Sequence, residues 1–252
     1  MGYIINTEHR NTLTDNYKRD VVLRKSNHSY LVNNKITEKF DSNSWKGQRC
    51  FIVGGGESIK NFDFSNLEHE NVIGINKAFK YIQRASINYS MDSTFYEEMK
   101  RGDFGVDTQS AWKSFEGVRV FLTPLEFKDD FGKEVYLVRR NMDLSLNMTD
   151  LDNGIYGGTN SGTGAITLAI ALGSKEIFLL GYDMKAVHQT HFHDGYPNRN
   201  IDEFNNKLGE YRQEITRLHP LIHQTDVKVT NLNRDSGLRC FPFSDFETIV
   251  QK

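Results

Sequence analysis

The stretch Gly157-Gly-Thr-Asn-Ser-Gly-Thr-Gly-Ala-Ile-Thr-Leu-Ala-Ile-Ala-Leu-Gly-Ser-Lys-Glu-Ile-Phe-Leu-Leu-Gly-Tyr-Asp-Met184 decides the fold. It reads as a glycine-rich turn, a helix, a short link, a strand and an acidic turn. Ala165 to Leu172 is apolar on every side except at Thr167, which predicts a helix covered by protein all round. Gly173 stands where a left-handed C-cap is wanted. Ile177 to Leu180 is continuously apolar rather than alternating, the pattern of a parallel strand buried on both faces. At the helix start Asn160, Ser161 and Thr163 are good cap residues, and Gly162 and Gly164 let another group come close to the first N–H groups. A buried helix with an open, glycine-lined N-terminus is a place to hold an anion.

Upstream, the chain repeats this logic. Cys50 to Val53 is a short buried strand followed at once by Gly54, Gly55, Gly56, Glu57 and Ser58. Strand, glycines, then a turn is the layout of a loop whose backbone N–H groups reach a phosphate. It is neither the dinucleotide fingerprint, whose third glycine would fall at Ile59, nor a Walker loop. A tight turn at the end of a strand explains the same residues. Strands are next predicted at Asn71–Ile75, ending at Asn76, and at Ser86–Met91, ending at Asp92, with helices at Lys77–Gln83 and Thr94–Lys100. Strand alternating with helix predicts an α/β class: a Rossmann-like, doubly wound, mainly parallel sheet in a single domain. Ligands of such sheets bind beyond the carboxyl ends of the strands, where Gly54 to Ser58, Asn76, Asp92, Gly181 to Asp183 and Asn160 to Thr163 would all gather.

Two further strands are read at Val118–Leu122 and Val135–Val138, and Arg139–Tyr156 as a loop over the site. A helix with Phe204, Leu208, Tyr211, Ile215 and Leu218 on one face is predicted over Ile201–Leu218, followed by a strand at Val227–Thr230 and a helix at Phe243–Val250. Residues 1 to 46 are polar and form an N-terminal extension to the domain of residues 47 to 252.

Composition narrows the classes without excluding a nucleic-acid role. A net charge of −2, with both signs spread along the 252 residues, offers no basic stripe for nucleic acid. Cys50 and Cys240 are too few for a disulfide framework and read as buried thiols. No apolar run approaches the roughly 20 residues of a membrane span, and Met1 to Arg10 has no signal-peptide core, so the expectation is a cytoplasmic protein.

Phe51-Ile-Val-Gly-Gly-Gly-Glu-Ser-Ile-Lys60, the strand ending in Asn76, and Asn160-Ser-Gly followed by Ala169-Ile-Ala-Leu-Gly-Ser-Lys-Glu-Ile-Phe-Leu-Leu-Gly-Tyr-Asp183 resemble the small bacterial sialyltransferases. They are also similar to motility-associated and phage-encoded glycosyltransferase-like proteins, relatives of a pterin pyrophosphokinase. The resemblance covers about residues 48 to 250 and implies a Rossmann-like domain that transfers a sugar from a nucleotide-activated donor, a CMP-sugar, without a metal. It implies that Gly55, Gly56 and Ser58 form the first nucleotide loop, that Asn76 contacts the nucleotide, that Ser161 and Gly162 meet the donor's phosphate, and that Asp183 is the acidic turn near the base. Gly55 stands where the sialyltransferases have asparagine, Met91-Asp92 replaces a second asparagine, and His191-Phe-His-Asp-Gly-Tyr-Pro197 differs from their histidine loop.

A histidine that deprotonates an acceptor hydroxyl suits such a transfer, with His193 favoured and His191 second. The alternative is a metal-dependent pyrophosphokinase or nucleotidyl-transfer enzyme, with a divalent cation on His191, His193, Asp194 and Asp183 and with Asp92 as a further ligand. A third reading is a non-catalytic nucleotide-binding or assembly protein. Asp92 reads equally as a helix cap, His219 and His223 as structural or solvated, and Phe241, Phe243 and Phe246 as core. The acceptor and the oligomeric state, a homo-oligomer included, are left open.

Overall fold

The computed structural model describes residues 33–123, 130–143, 148–193 and 200–250. In chain order these carry β1 (Asn34–Lys35), β2 (Arg49–Val53), β3 (Asn71–Ile75), β4 (Ile87–Ser90), α1 (Ser93–Arg101), α2 (Val106–Ser114), β5 (Val118–Leu122) and β6 (Val135–Val138). There follow β7 (Arg140–Asn141), β8 (Ile155–Tyr156), α3 (Ser161–Ala171), β9 (Glu176–Leu180), α4 (Ile201–His223), β10 (Lys228–Asn231) and α5 (Phe246–Val250).

Eight strands form one sheet in the order β1-β6-β5-β4-β3-β2-β9-β10, and every pairing in it is parallel among the described residues. The expected doubly wound α/β sheet is therefore present. Strands β2 and β9 are apolar past their first residue because both faces are covered, whereas β4 buries the polar Asn88 and Ser90. Side chains alternate across the sheet: Cys50 and Ile52 join the core cluster that contains α3, whereas Phe51 and Val53 join a second cluster with Phe79, Phe95 and Phe178. Register places Phe51 beside Val72 on one side and Phe178 on the other.

Every residue of α3 from Thr163 to Ala171 is buried, which is why a run with no polar stripe is stable there. Gly173 has φ +94° at its C-terminal end, and Trp45 N–H donates to Leu172 O at 2.8 Å. Residues 33–46, placed by sequence in the extension, supply the edge strand β1 and bury Ile36 and Trp45 in the core. Residues 1–32 lie outside the described residues. No helix among the described residues is long and apolar enough to cross a membrane.

Several elements differ from expectation. The segment after β3 is a short 3-10 helix, Asn76–Lys80, and α2 has no counterpart in the sequence reading, since only Thr108 and Trp112 of its nine residues are buried. Within Arg139–Tyr156, β7 and β8 pair in a small sheet, and residues 144–147 lie outside the described residues. The long helix α4 does not stop at Leu218 but runs through Pro220 to His223. Proline inside a helix costs about 3 kcal/mol. Burial of Leu218 and Ile222 on either side of it, at 1% and 2% exposure, offsets that cost.

Candidate functional site

From β2 the sheet grows one way through β3, β4 and β5 and the other way through β9 and β10, so the strand order reverses between β2 and β9. Loops leaving the carboxyl ends of two such strands diverge to opposite faces and open a crevice between them. A cavity of about 650 Å³ lies there, a size suited to a small-molecule ligand. Its walls include Gly54, Gly55, Gly56, Asn76, Asp92, Asn160, Ser161, Gly162, Asp183 and His191, so ten of the thirteen residues predicted for the site face one space. Ser58, Thr163 and His193 are not part of its wall.

The glycine loop forms a close crossing with the loop after β9, as the tight-turn reading of the sequence allows. Gly54 N–H donates to Leu180 O and Gly56 N–H to Gly181 O, both at 2.8 Å, which extends the β2–β9 ladder past the strand ends. Those two N–H groups are thus already engaged, and a phosphate would meet other donors. The glycines are needed because the β9 loop crosses so closely. A Cβ on Gly54 would lie 2.8 Å from Gly181 O, and one on Gly55 would lie 2.9 Å from His191 Cδ2.

Asp183 ties the crossing together. Its carboxylate accepts from Ser58 N–H at 2.8 Å, from Ser58 Oγ at 2.5 Å and from Asn233 Nδ2 at 2.8 Å, and the residue is 6% exposed. Ser58 therefore acts on the site through Asp183. The backbone of the same turn is held by Ser236 Oγ, which donates to Tyr182 O at 2.6 Å, and by Arg212 Nη1, which donates to Met184 O at 2.8 Å. Met184 adopts φ +51°, a conformation costly for a side chain that has no glycine-like freedom.

At the start of α3, Asn160 caps the helix by accepting from Thr163 N–H at 2.9 Å. Ser161 and Gly162, the first two helical residues, face the cavity, and their N–H groups precede any intrahelical partner. Ser161 Oγ accepts from Met91 N–H at 3.2 Å, and Tyr182 OH donates to Gly162 O at 3.0 Å. Behind the cap stands Glu214 of α4. It accepts from Thr159 N–H at 3.0 Å, Thr159 Oγ1 at 2.8 Å and Asn160 Nδ2 at 2.8 Å.

Asn76, at φ +52°, turns the chain off β3; its Oδ1 is buried without a hydrogen-bond partner among the described residues, while its carbonyl accepts from Asn88 Nδ2 at 3.0 Å. Asp92 caps α1 by accepting from Thr94 N–H at 2.9 Å and also lines the cavity, so both readings of that residue describe its place.

The two histidines part company. His191 forms part of the wall, with Nδ1 3.0 Å from Thr190 Oγ1 and its ring 5.4 Å from Phe204. His193 stacks on Tyr81 with ring centroids 5.6 Å apart, and its ring is 5.7 Å from that of His191. Phe192 between them is anchored among Phe64 and Tyr81, and its N–H donates to Gly55 O at 3.0 Å. Among the described residues no three His, Cys, Asp or Glu side chains are grouped as a metal set. Asp194, part of the proposed cation set, lies outside them.

Charge on the wall is dominated by carboxylates: Asp92, Glu98 and Asp183 against Lys185. Just behind it, Lys77 is buried with Nζ 3.6 Å from the Phe104 ring centroid, and burial lowers its pKa to about 8. Burial likewise raises the Tyr182 hydroxyl well above its ordinary value.

Sequence reading did not find Glu214, Asn233, Ser236 or Lys77. Each lies among ordinary polar residues of a helix or loop, and only the tertiary fold brings it to the site. Neither a protein-family model nor a curated protein matches the chain.

Proposed function

We propose that the chain is a glycosyltransferase-like enzyme that transfers a sugar from a nucleotide-activated donor, a CMP-sugar, to an acceptor hydroxyl. One observation carries this reading: the N-terminal amides of α3, at Ser161 and Gly162, and His191 face the same cavity at the point where the strand order reverses. Helix N-terminal amides favour a phosphate, and a switch-point crevice is the usual place for a nucleotide in this architecture.

In the proposed step the acceptor O–H gives its proton to His191 while its oxygen bonds to the anomeric carbon. The bond from that carbon to the phosphate oxygen breaks, and its electron pair leaves with the nucleoside monophosphate. Negative charge then grows beside Ser161 and Gly162, where fixed N–H dipoles stabilise it. Thr190 Oγ1, 3.0 Å from Nδ1, fixes the orientation of the ring. The cavity position favours His191 over His193 as the base.

Titration calorimetry with CMP, UDP, GDP and their sugars tests the donor site, and binding by none of them would sink the proposal. His191→Ala should keep donor binding and lower donor turnover by about 10²–10⁴-fold, whereas His193→Ala should stay within a few-fold of the parent. Unchanged turnover in His191→Ala would remove that residue from the mechanism.

The metal-dependent pyrophosphoryl- or nucleotidyl-transfer reading draws on Asp92 and Glu98, two carboxylates on one wall of the cavity. Activity abolished by EDTA and restored by Mg²⁺ or Mn²⁺ would favour it.

A further inference from the structure

Phe204, Leu208 and Tyr211 recur at i, i+4 and i+7 along α4 and are half-buried. The same helix face continues into Ile215, Leu218 and Ile222, which are 0–2% exposed and belong to the core. The first three line the cavity, where Phe204 also meets the His191 ring and Tyr211 the Lys207 ammonium. The face is thus divided, its second half holding the helix to the sheet and its first half standing over the site.

Phe95 of α1 and Phe104 of the loop after it bring apolar surface to the same cavity. Phe95 belongs to the core cluster on one face of the sheet, while α4 is anchored through the cluster on the other. The two apolar walls therefore come from opposite faces of the sheet and meet above its carboxyl edge.

We infer that the cavity holds an acceptor whose sugar carries an apolar aglycone, an alkyl or aryl group seated along Phe204, Leu208 and Tyr211. The inference rests on the transferase reading. An acceptor hydroxyl has to reach His191, and the ring beside His191 on the α4 side is Phe204, 5.4 Å away. Whatever extends from that hydroxyl along α4 meets Leu208 and Tyr211 next, while the donor's phosphate occupies the polar end at Ser161 and Gly162. An apolar aglycone gains by leaving water against such a wall, and a bare hydrophilic sugar does not.

The test uses the full chain and n-octyl β-glucoside below its micelle concentration, with methyl β-glucoside as the control that shares the sugar. Each buried methylene is worth about fourfold in affinity, so three of them give roughly 60-fold tighter binding of the octyl compound. Leu208→Asn, on a half-buried helix position, should reduce that preference at least fivefold and leave CMP affinity unchanged. Equal binding of the two glucosides, binding of neither, or a preference untouched by Leu208→Asn would overturn the inference, even with CMP bound normally. Saturable octyl binding that Leu208→Asn weakens, in a protein that binds no nucleotide, would leave the apolar site standing and discard the transferase reading instead.

Discussion

Gly56→Ala isolates the contact between the two crossing loops. Gly56 has φ −64° and ψ 150°, an extended conformation open to alanine, so the backbone itself contributes no penalty. The added methyl carbon would stand 2.6 Å from Asp183 Oδ1 and 2.6 Å from Gly181 O, well inside the 3.4 Å at which ordinary contact begins. Gly181 O is backbone hydrogen-bonded to Gly56 itself, so the two loops must part there while the carboxylate turns away. Turning weakens its bonds to Ser58 N–H at 2.8 Å and Asn233 Nδ2 at 2.8 Å. Overpacking costs about 1–3 kcal/mol and hydrogen bonds to a charged group about 1.5–3 kcal/mol each, partly recovered through solvent. Alanine regains about 0.4–1 kcal/mol by restricting the unfolded chain. The net expectation is a loss of about 2–3 kcal/mol, read as a lower urea midpoint at unchanged slope. In an Asp183→Ala background part of the clash is gone, so the two substitutions should couple by about 1 kcal/mol or more. A Gly56→Ala protein within about 0.5 kcal/mol of the parent would refute the close-crossing account of the glycines.

Lys77 predicts a rise of stability in base. Its folded pKa of about 8 lies below the unfolded value of 10.5, so between them the unfolded chain binds more protons. Stability then increases with pH across that window and is reduced below pH 8, where the buried amine is charged. The difference in urea midpoint between the parent and Lys77→Met should move in the parent's favour from pH 8 to 10.5; a flat difference would contradict the assignment. Glu214→Ala strips the acceptor from Thr159 and Asn160 and should cost about 1–3 kcal/mol by thermal unfolding. Because Thr159 loses its partner in that variant, adding Thr159→Ala should cost little more, and full additivity would argue against the pairing.

How far the site was legible in sequence depends on what kind of signal each residue left. Strand ends announce themselves, because a continuous apolar run such as Cys50 to Val53 or Ile177 to Leu180 must stop where the chain meets water. Gly54, Asn76 and Gly181 follow such runs directly and Asp92 ends the mixed run Ile87 to Met91, and a parallel sheet then carries them to one edge. What the glycines do there was not legible. Close approach to a phosphate and close approach to a neighbouring loop demand the same missing Cβ, and only the distance to Gly181 O separates them. The amphipathic face of α4 was misleading for a related reason. A stripe at helical spacing reports that the helix face is covered, and it does not reveal that Phe204, Leu208 and Tyr211 also line the cavity. Glu214 and Asn233 left no trace, since a carboxylate or amide that braces a loop looks in sequence like one that faces solvent.

The charges around the cavity make different demands on the two proposed enzymatic readings. Glu214 already stands behind the start of α3, and a helix N-terminus is worth about 0.3–1 kcal/mol to an anion, a modest attraction that a second negative charge reduces. Asp183 is engaged by Ser58 and Asn233, but Asp92 and Glu98 still face the space that a ligand would enter. A donor joined to its nucleoside through a single phosphate brings one negative charge and can be met by the Ser161 and Gly162 amides with Lys185 nearby. A di- or triphosphate brings several, and in the same cavity each would sit against carboxylates unless a cation from solution came with it. Ligand charge and cation dependence are thus linked in this site. The CMP-sugar reading calls for nucleotide binding indifferent to added Mg²⁺, and the pyrophosphoryl reading calls for affinity that grows with phosphate number only when Mg²⁺ is present.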